Sequence, residues 1–157
     1  MSVIKKASQG AFFILPSNMI KKLFSPNPLW NNNGLVALRI ITGLLMAYHG
    51  AEIFNRAAIE VYLTWDVIKG LPAPEVMVYI GKGIEFFSGV CLVVGLFTRV
   101  ASLLMAIDML FICFKIGNGR FYYEDQHSFL FALVALIFFF TGPVKWGLDF
   151  ILFKKAK

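Results

Sequence analysis

The chain has 157 residues, of which 59% are hydrophobic, 16% aromatic and only 15% charged, with a mean hydropathy of +0.73. A soluble domain carries about 25% charged residues, so this composition describes a membrane protein of a single domain. The net charge of +6 sits mostly in the two terminal segments. That placement suits a lipid surface and excludes a nucleic-acid-binding face.

Residues 1–33 form an N-terminal arm that begins MSVIKKASQGAFFILP. Its apolar run is too short for a signal-peptide core and stops at Pro16, so the arm is expected to be retained. The stretch SNMIKKLF alternates apolar and basic residues before Ser25-Pro26-Asn27-Pro28 and Trp30. It reads either as an interfacial amphipathic helix anchored by Trp30 or as a disordered arm.

Four apolar stretches follow, at residues 34–54, 76–97, 100–117 and 128–148. At 1.5 Å per residue a stretch of about 20 residues covers the roughly 30 Å of hydrocarbon. Only Thr98 and Arg99 separate the second from the third, which predicts a tight antiparallel hairpin. Pro143 is expected to kink or end the fourth. Between the first two spans, IEVYLTWDVIKGL has helical apolar spacing up to Pro72 and Pro74, and predicts a short helix able to act as a lid. The second external loop, NGRFYYEDQH, is polar and aromatic. The fold expected is all-α, a four-transmembrane-helix antiparallel bundle over residues 34–150, followed by a basic tail at 151–157.

Basic residues set the orientation. Lys5, Lys6, Lys21, Lys22, Arg99, Lys145, Lys154, Lys155 and Lys157 fall on one side, against Arg56, Lys69, Lys115 and Arg120 on the other. Both termini are therefore expected in the cytoplasm, with the chain multi-pass in a bacterial inner membrane. Cys91 and Cys113 lie inside apolar segments without metal-ligand spacing and read as small buried hydrophobes.

Function must be sought among ionisable groups inside the spans, because each costs about 2.5 kcal/mol or more in hydrocarbon. His49 and Glu52 share a face of the first helix, and Lys82 and Glu85 repeat that spacing on the second. Asp108 falls at the middle of the third. Three carboxylates around one lysine and one histidine predict a polar pocket in the outer half of the bundle, with at least one carboxylate protonated or compensated by a ligand. The alternative is polar glue between helices, with Lys82 pairing Glu85 inside its own helix. No spacing supports a metal site. Near the cytoplasmic end, Arg39 and Asp149 stand at matching depth and are expected to form a structural ion pair joining the first helix to the last.

Several of these residues lie in a recurring pattern. Leu38-Arg39 followed by I-I-T-G, then His49-Gly50, then G-I-E-F-F-S-G-V-C-L-V-V-G-L-F-T-R over residues 83–99, and G-P…G-L-D ending at Asp149 together resemble the DoxX/DoxD family of small four-helix membrane proteins. The likeness spans about residues 34–150. It departs from the family's usual G-x-G-x-x-S-L-D at the end, where Val144, Lys145, Trp146 and Gly147 intervene. By position, Arg39, His49, Glu85, Arg99 and Asp149 match the recurring polar residues; Glu52, Lys82 and Asp108 rest on the physical argument.

The resemblance implies a membrane subunit of a redox complex, since DoxD-like members are associated with thiosulfate:quinone oxidoreductase. The chain has no haem, flavin, Fe–S or nucleotide motif, so electrons would travel through a partner subunit or a bound quinone. In that reading His49 and Glu85 exchange protons with a quinone head group, and Glu52, Lys82 and Asp108 complete the pocket. A non-catalytic scaffold docking a larger complex is the alternative. A solute transporter is disfavoured by the lack of inverted repeats.

Overall fold

The computed structural model describes Ser25 and residues 31–153; the amphipathic segment expected before Trp30 and the last four residues lie outside that range. From Asn32 onward the chain forms one compact unit. Among the described residues all regular structure is helical.

Helix α1 runs Asn31–Gly50 and tightens into a 3₁₀ turn over Ala51–Phe54. Two short helices follow, α2 (Arg56–Leu63) and α3 (Asp66–Lys69). Helix α4 spans Pro74–Val94, and α5 spans Thr98–Phe111 before widening into a π-helical turn over Ile112–Ile116. Helix α6 covers Gln126–Thr141, and α7 covers Leu148–Phe153.

The boundaries follow from local chemistry. Pro74 opens α4 at a position where its missing N–H costs nothing. Gly95 ends that helix in the left-handed region at φ 68°, where a Cβ would be strained. The fourth apolar stretch stops at Thr141, short of residue 148, because Gly142 takes φ 70° and Pro143 supplies no donor to continue the helix. The expected loop helix is broken in two at Thr64-Trp65, where Trp65 is extended and the Thr64 hydroxyl donates back to the Val61 carbonyl.

Helices α1 and α4 pack antiparallel and very close. A side chain at Gly43 would strike the backbone of Gly89 and Val93, and one at Gly50 the backbone of Phe86. Small residues at such a crossing let backbones touch. The main core joins Met46 of α1, Cys91 and Leu92 of α4, Ala101, Met105, Ala106 and Met109 of α5, and Ala132, Ala135 and Phe138 of α6. A second, smaller cluster of Ile59, Ile68 and Val78 seats α2 and α3 on the start of α4.

The outward faces are apolar too. Leu38, Ile41 and Leu44 on α1, Ile80 and Phe87 on α4, Leu103 and Ile107 on α5, and Leu133, Ile137 and Phe140 on α6 are all exposed. Helices apolar all round belong in lipid, since water would not tolerate so continuous a belt. Residues 32–54 and α4 are each long and apolar enough to cross a membrane, and α6, at 16 residues, is about 24 Å long.

Candidate functional site

Lys82 organises the part of the molecule next to α2. Its Nζ lies 2.9 Å from Glu52 Oε2 and 3.0 Å from Glu85 Oε2, linking the end of α1 to α4. The Tyr62 hydroxyl, reaching from α2, donates to the same Glu52 oxygen at 2.6 Å, and the ammonium sits 4.8 Å from the Tyr62 ring centroid. The pairing of Lys82 with Glu85 within α4 is thus present, extended by Glu52 into a two-carboxylate bridge. Burial, and then its bond to Glu52, pushes the Tyr62 phenol above its ordinary pKa.

Beside this bridge lies a cavity of about 510 Å³ lined by His49, Lys82, Glu85 and Asp108 among mostly apolar side chains. That size is within the range of small-molecule sites. Glu52 is not on its wall: the carboxylate holds Lys82 from the side nearer α2. Asp108 differs from the other acids. It is buried, and its Oδ2 has no hydrogen-bond partner. A buried polar atom without a partner costs about 1–3 kcal/mol, more if charged.

Two contributors were not legible in the sequence. Tyr62 comes from the short loop helix, and His127 opens α6 with its ring centroid 5.9 Å from that of His49 and 4.9 Å from Phe131. Both line the cavity. Spacing within a helix cannot show them, because each reaches the site from a separate element. Among the described residues, no group of three or more His, Cys, Asp or Glu is placed to hold a metal.

The expected Arg39–Asp149 pair is not a direct contact. Arg39, fully buried, donates from Nη2 to the Trp146 carbonyl at 3.2 Å, while its Nε and Nη1 are unpartnered. Asp149 instead accepts the backbone N–H groups of Phe97 and Thr98, each at 2.7 Å. The two free donors at the start of α5 attract the carboxylate more effectively than the guanidinium does, as an N-terminal cap plus helix dipole would. The Asp149 N–H returns to the Gly95 carbonyl at 2.9 Å. Gly95 and Gly147 press on the guanidinium so closely that a Cβ at either would collide with it.

On the outer surface Arg56 ties α2 to α4 through Glu75, Tyr79 and Glu60. These bonds hold its pKa above the usual arginine value.

Residues 34–118 match the DoxX family. The chain belongs to that family. A protein of Haemophilus influenzae named only as uncharacterized is 27% identical over 128 residues, covering 77% of this chain and 92% of the relative. A Bacillus subtilis protein named "Putative oxidoreductase CatD" is 29% identical over 126 residues, covering 79% of this chain and 90% of the relative. No solved structure matches the chain. The family match takes in Arg39, Asp149's partners at the α4–α5 turn, and every polar wall residue of the cavity except His127 and Ser128.

Proposed function

We propose that this DoxX protein is the integral membrane subunit of a quinone-linked redox system, binding a quinone head group in the cavity between α1, α4, α5 and α6. In this reading α1, α4, α5 with its π turn, and α6 all cross a bacterial inner membrane. Residues 34–150 form the membrane domain, both termini are cytoplasmic, and further protein subunits supply electrons. The name of the Bacillus subtilis relative supports oxidoreductase chemistry in general.

The observation that carries the reading is Asp108: a buried carboxylate with an unpartnered oxygen on the wall of a largely apolar void. Lys82 is bonded to Glu52 and Glu85 and makes no direct ion pair with Asp108. Quinone reduction takes up protons as well as electrons; in this reading Asp108 and His49 on the cavity lining donate them to the head group, and Glu85, held as a carboxylate by Lys82, accepts and relays protons. Glu52 and Tyr62 act one step back, holding Lys82 and hence Glu85 in place.

Trp65 lies on the cavity wall and reports occupancy. Decylubiquinone added to the full chain in nanodiscs is expected to quench tryptophan fluorescence saturably, with Trp65→Phe losing that component and Asp108→Asn weakening the binding. If quenching is non-saturable and identical in Trp65→Phe, the quinone reading fails. The scaffold reading then takes its place, supported by the satisfied Glu52–Lys82–Glu85 bridge, which locks α1 to α4 whether or not anything binds.

A further inference from the structure

The walls of the cavity are not equally closed. On the outer side it is roofed by Tyr62, Trp65, Ile68 and Leu71 from the α2–α3 segment. That roof is fastened by the Tyr62–Glu52 bond and by Arg56 holding Glu75 and Tyr79. Among the described residues there is no comparable cover between α4 and α5. Ile80 and Ile107 both line the cavity, yet they are 51% and 57% exposed, which means the void reaches the outside of the helix pair between them. Ile80 is six residues into α4 and Ile107 nine residues into α5. At the helical rise these are depths of about 9 Å from the outer end and about 14 Å from the inner end, so the opening faces acyl chains and not water.

Gly81 forms the sill of this opening. A Cβ there would meet only Asp108 Oδ1, at 3.7 Å, an ordinary contact, so the missing side chain is not demanded by packing. Its absence leaves the path from lipid to Asp108 clear. The head that arrives meets two wall carboxylates, Glu85 and Asp108, and a lysine already bonded to Glu85 and Glu52, which disfavours an anion. It must also satisfy Asp108 Oδ2.

We infer that the cavity is loaded sideways from the bilayer by an amphiphile with an uncharged, hydrogen-bonding head, whose alkyl tail leaves between α4 and α5 across Gly81. This rests on the proposed site but not on the head being a quinone. It adds Gly81 and Ile107 as the residues that control which tails can pass, and it excludes a water-borne solute as the ligand.

The test is photolabelling of the full chain in nanodiscs with two probes: a long-chain primary alcohol carrying a diazirine on the carbons next to its hydroxyl, and a charged, membrane-impermeant diazirine in the water. Peptide mapping should find the bilayer-borne probe on Asp108 or Glu85, both buried from the lipid surface. Gly81→Ala should retain that labelling, and Gly81→Phe should lower it about tenfold by filling the opening. Should Gly81→Phe fail to fold, Ile107→Trp narrows the same opening from an exposed position and is expected to act alike.

Labelling of the two acids by the aqueous probe alone, or labelling unchanged in the narrowing variants, overturns the inference. Competition by decylubiquinone separates the two levels. Labelling that the quinone does not reduce keeps the lateral entry and removes the quinone. Saturable Trp65 quenching without bilayer-borne labelling keeps the quinone and removes the lateral entry.

Discussion

The two buried polar centres of this protein are near mirror images in their unmet valences. At the α4–α5 turn, Asp149 is satisfied by two backbone N–H groups while Arg39 keeps two unpartnered nitrogens. Beside α2, Lys82 is satisfied by two carboxylates while Asp108 keeps an unpartnered oxygen. What separates them is space. Gly95 and Gly147 close directly on Arg39, whereas Asp108 borders a cavity of about 510 Å³. Burial and an unmet hydrogen bond therefore do not identify a site by themselves; they do so where a ligand can reach the atom.

Replacing Lys82 by Met should do the greatest damage, because it leaves two carboxylates uncompensated. A loss of about 3–5 kcal/mol in unfolding free energy is expected, with much of it restored in the triple variant Lys82→Met, Glu52→Gln, Glu85→Gln. A mild effect of Lys82→Met alone would show that the bridge is solvated and not a second centre at all. Asp149→Ala removes both bonds that cap α5 and should cost about 3 kcal/mol, measured by thermal or denaturant unfolding in mild detergent.

Asp108→Asn is the sharpest contrast to that variant. It exchanges one buried acid for its amide just as Asp149→Asn would, yet its effect on stability should stay within about 1 kcal/mol, because no partner is lost. Its effect should appear in ligand binding. Equal destabilisation by the two substitutions would erase the distinction between the centres.

The smallest change expected is from Tyr62→Phe, about 1 kcal/mol for one hydrogen bond, with a pH signature. The Tyr62 pKa is raised in the folded protein, so its contribution is fully present below the unfolded value of about 10 and is lost as pH rises through the folded value. Wild type should lose this increment of stability at alkaline pH relative to Tyr62→Phe, in paired melts on either side of pH 10.

Much of the architecture was legible because apolar length and punctuation act locally. The stop at Gly142-Pro143 and the helical segment before Pro72 follow from residues within a few positions of the boundary, whereas the α4–α5 turn falls at Gly95–Phe97, ahead of Thr98 and Arg99, which lie in α5 instead of separating the spans. The polar groups of α1, α4 and α5 were legible as a set because charge inside an apolar run is conspicuous wherever it points. Their division of labour was not. That Glu52 stands off the cavity wall goes with its bonds to Lys82 of α4 and Tyr62 of α2, partners that spacing within α1 does not anticipate. The choice of Asp149 between a guanidinium and two backbone N–H groups depends on Phe97 adopting φ 49°, a conformation that no local pattern around a Phe announces. His127 and Tyr62 needed the tertiary fold itself.

The cap that Asp149 places on α5 joins chain positions 51 and 52 residues apart, and this has a consequence for how the protein is made. When α4 and α5 leave the ribosome, the turn between them has two exposed N–H groups and a left-handed Phe97, and the residue that completes it has not been synthesised. The hairpin is sealed only once the segment carrying Asp149 has folded back onto it. A chain cut before Asp149 would thus keep α1, α4, α5 and α6 and still lack a closed α4–α5 turn.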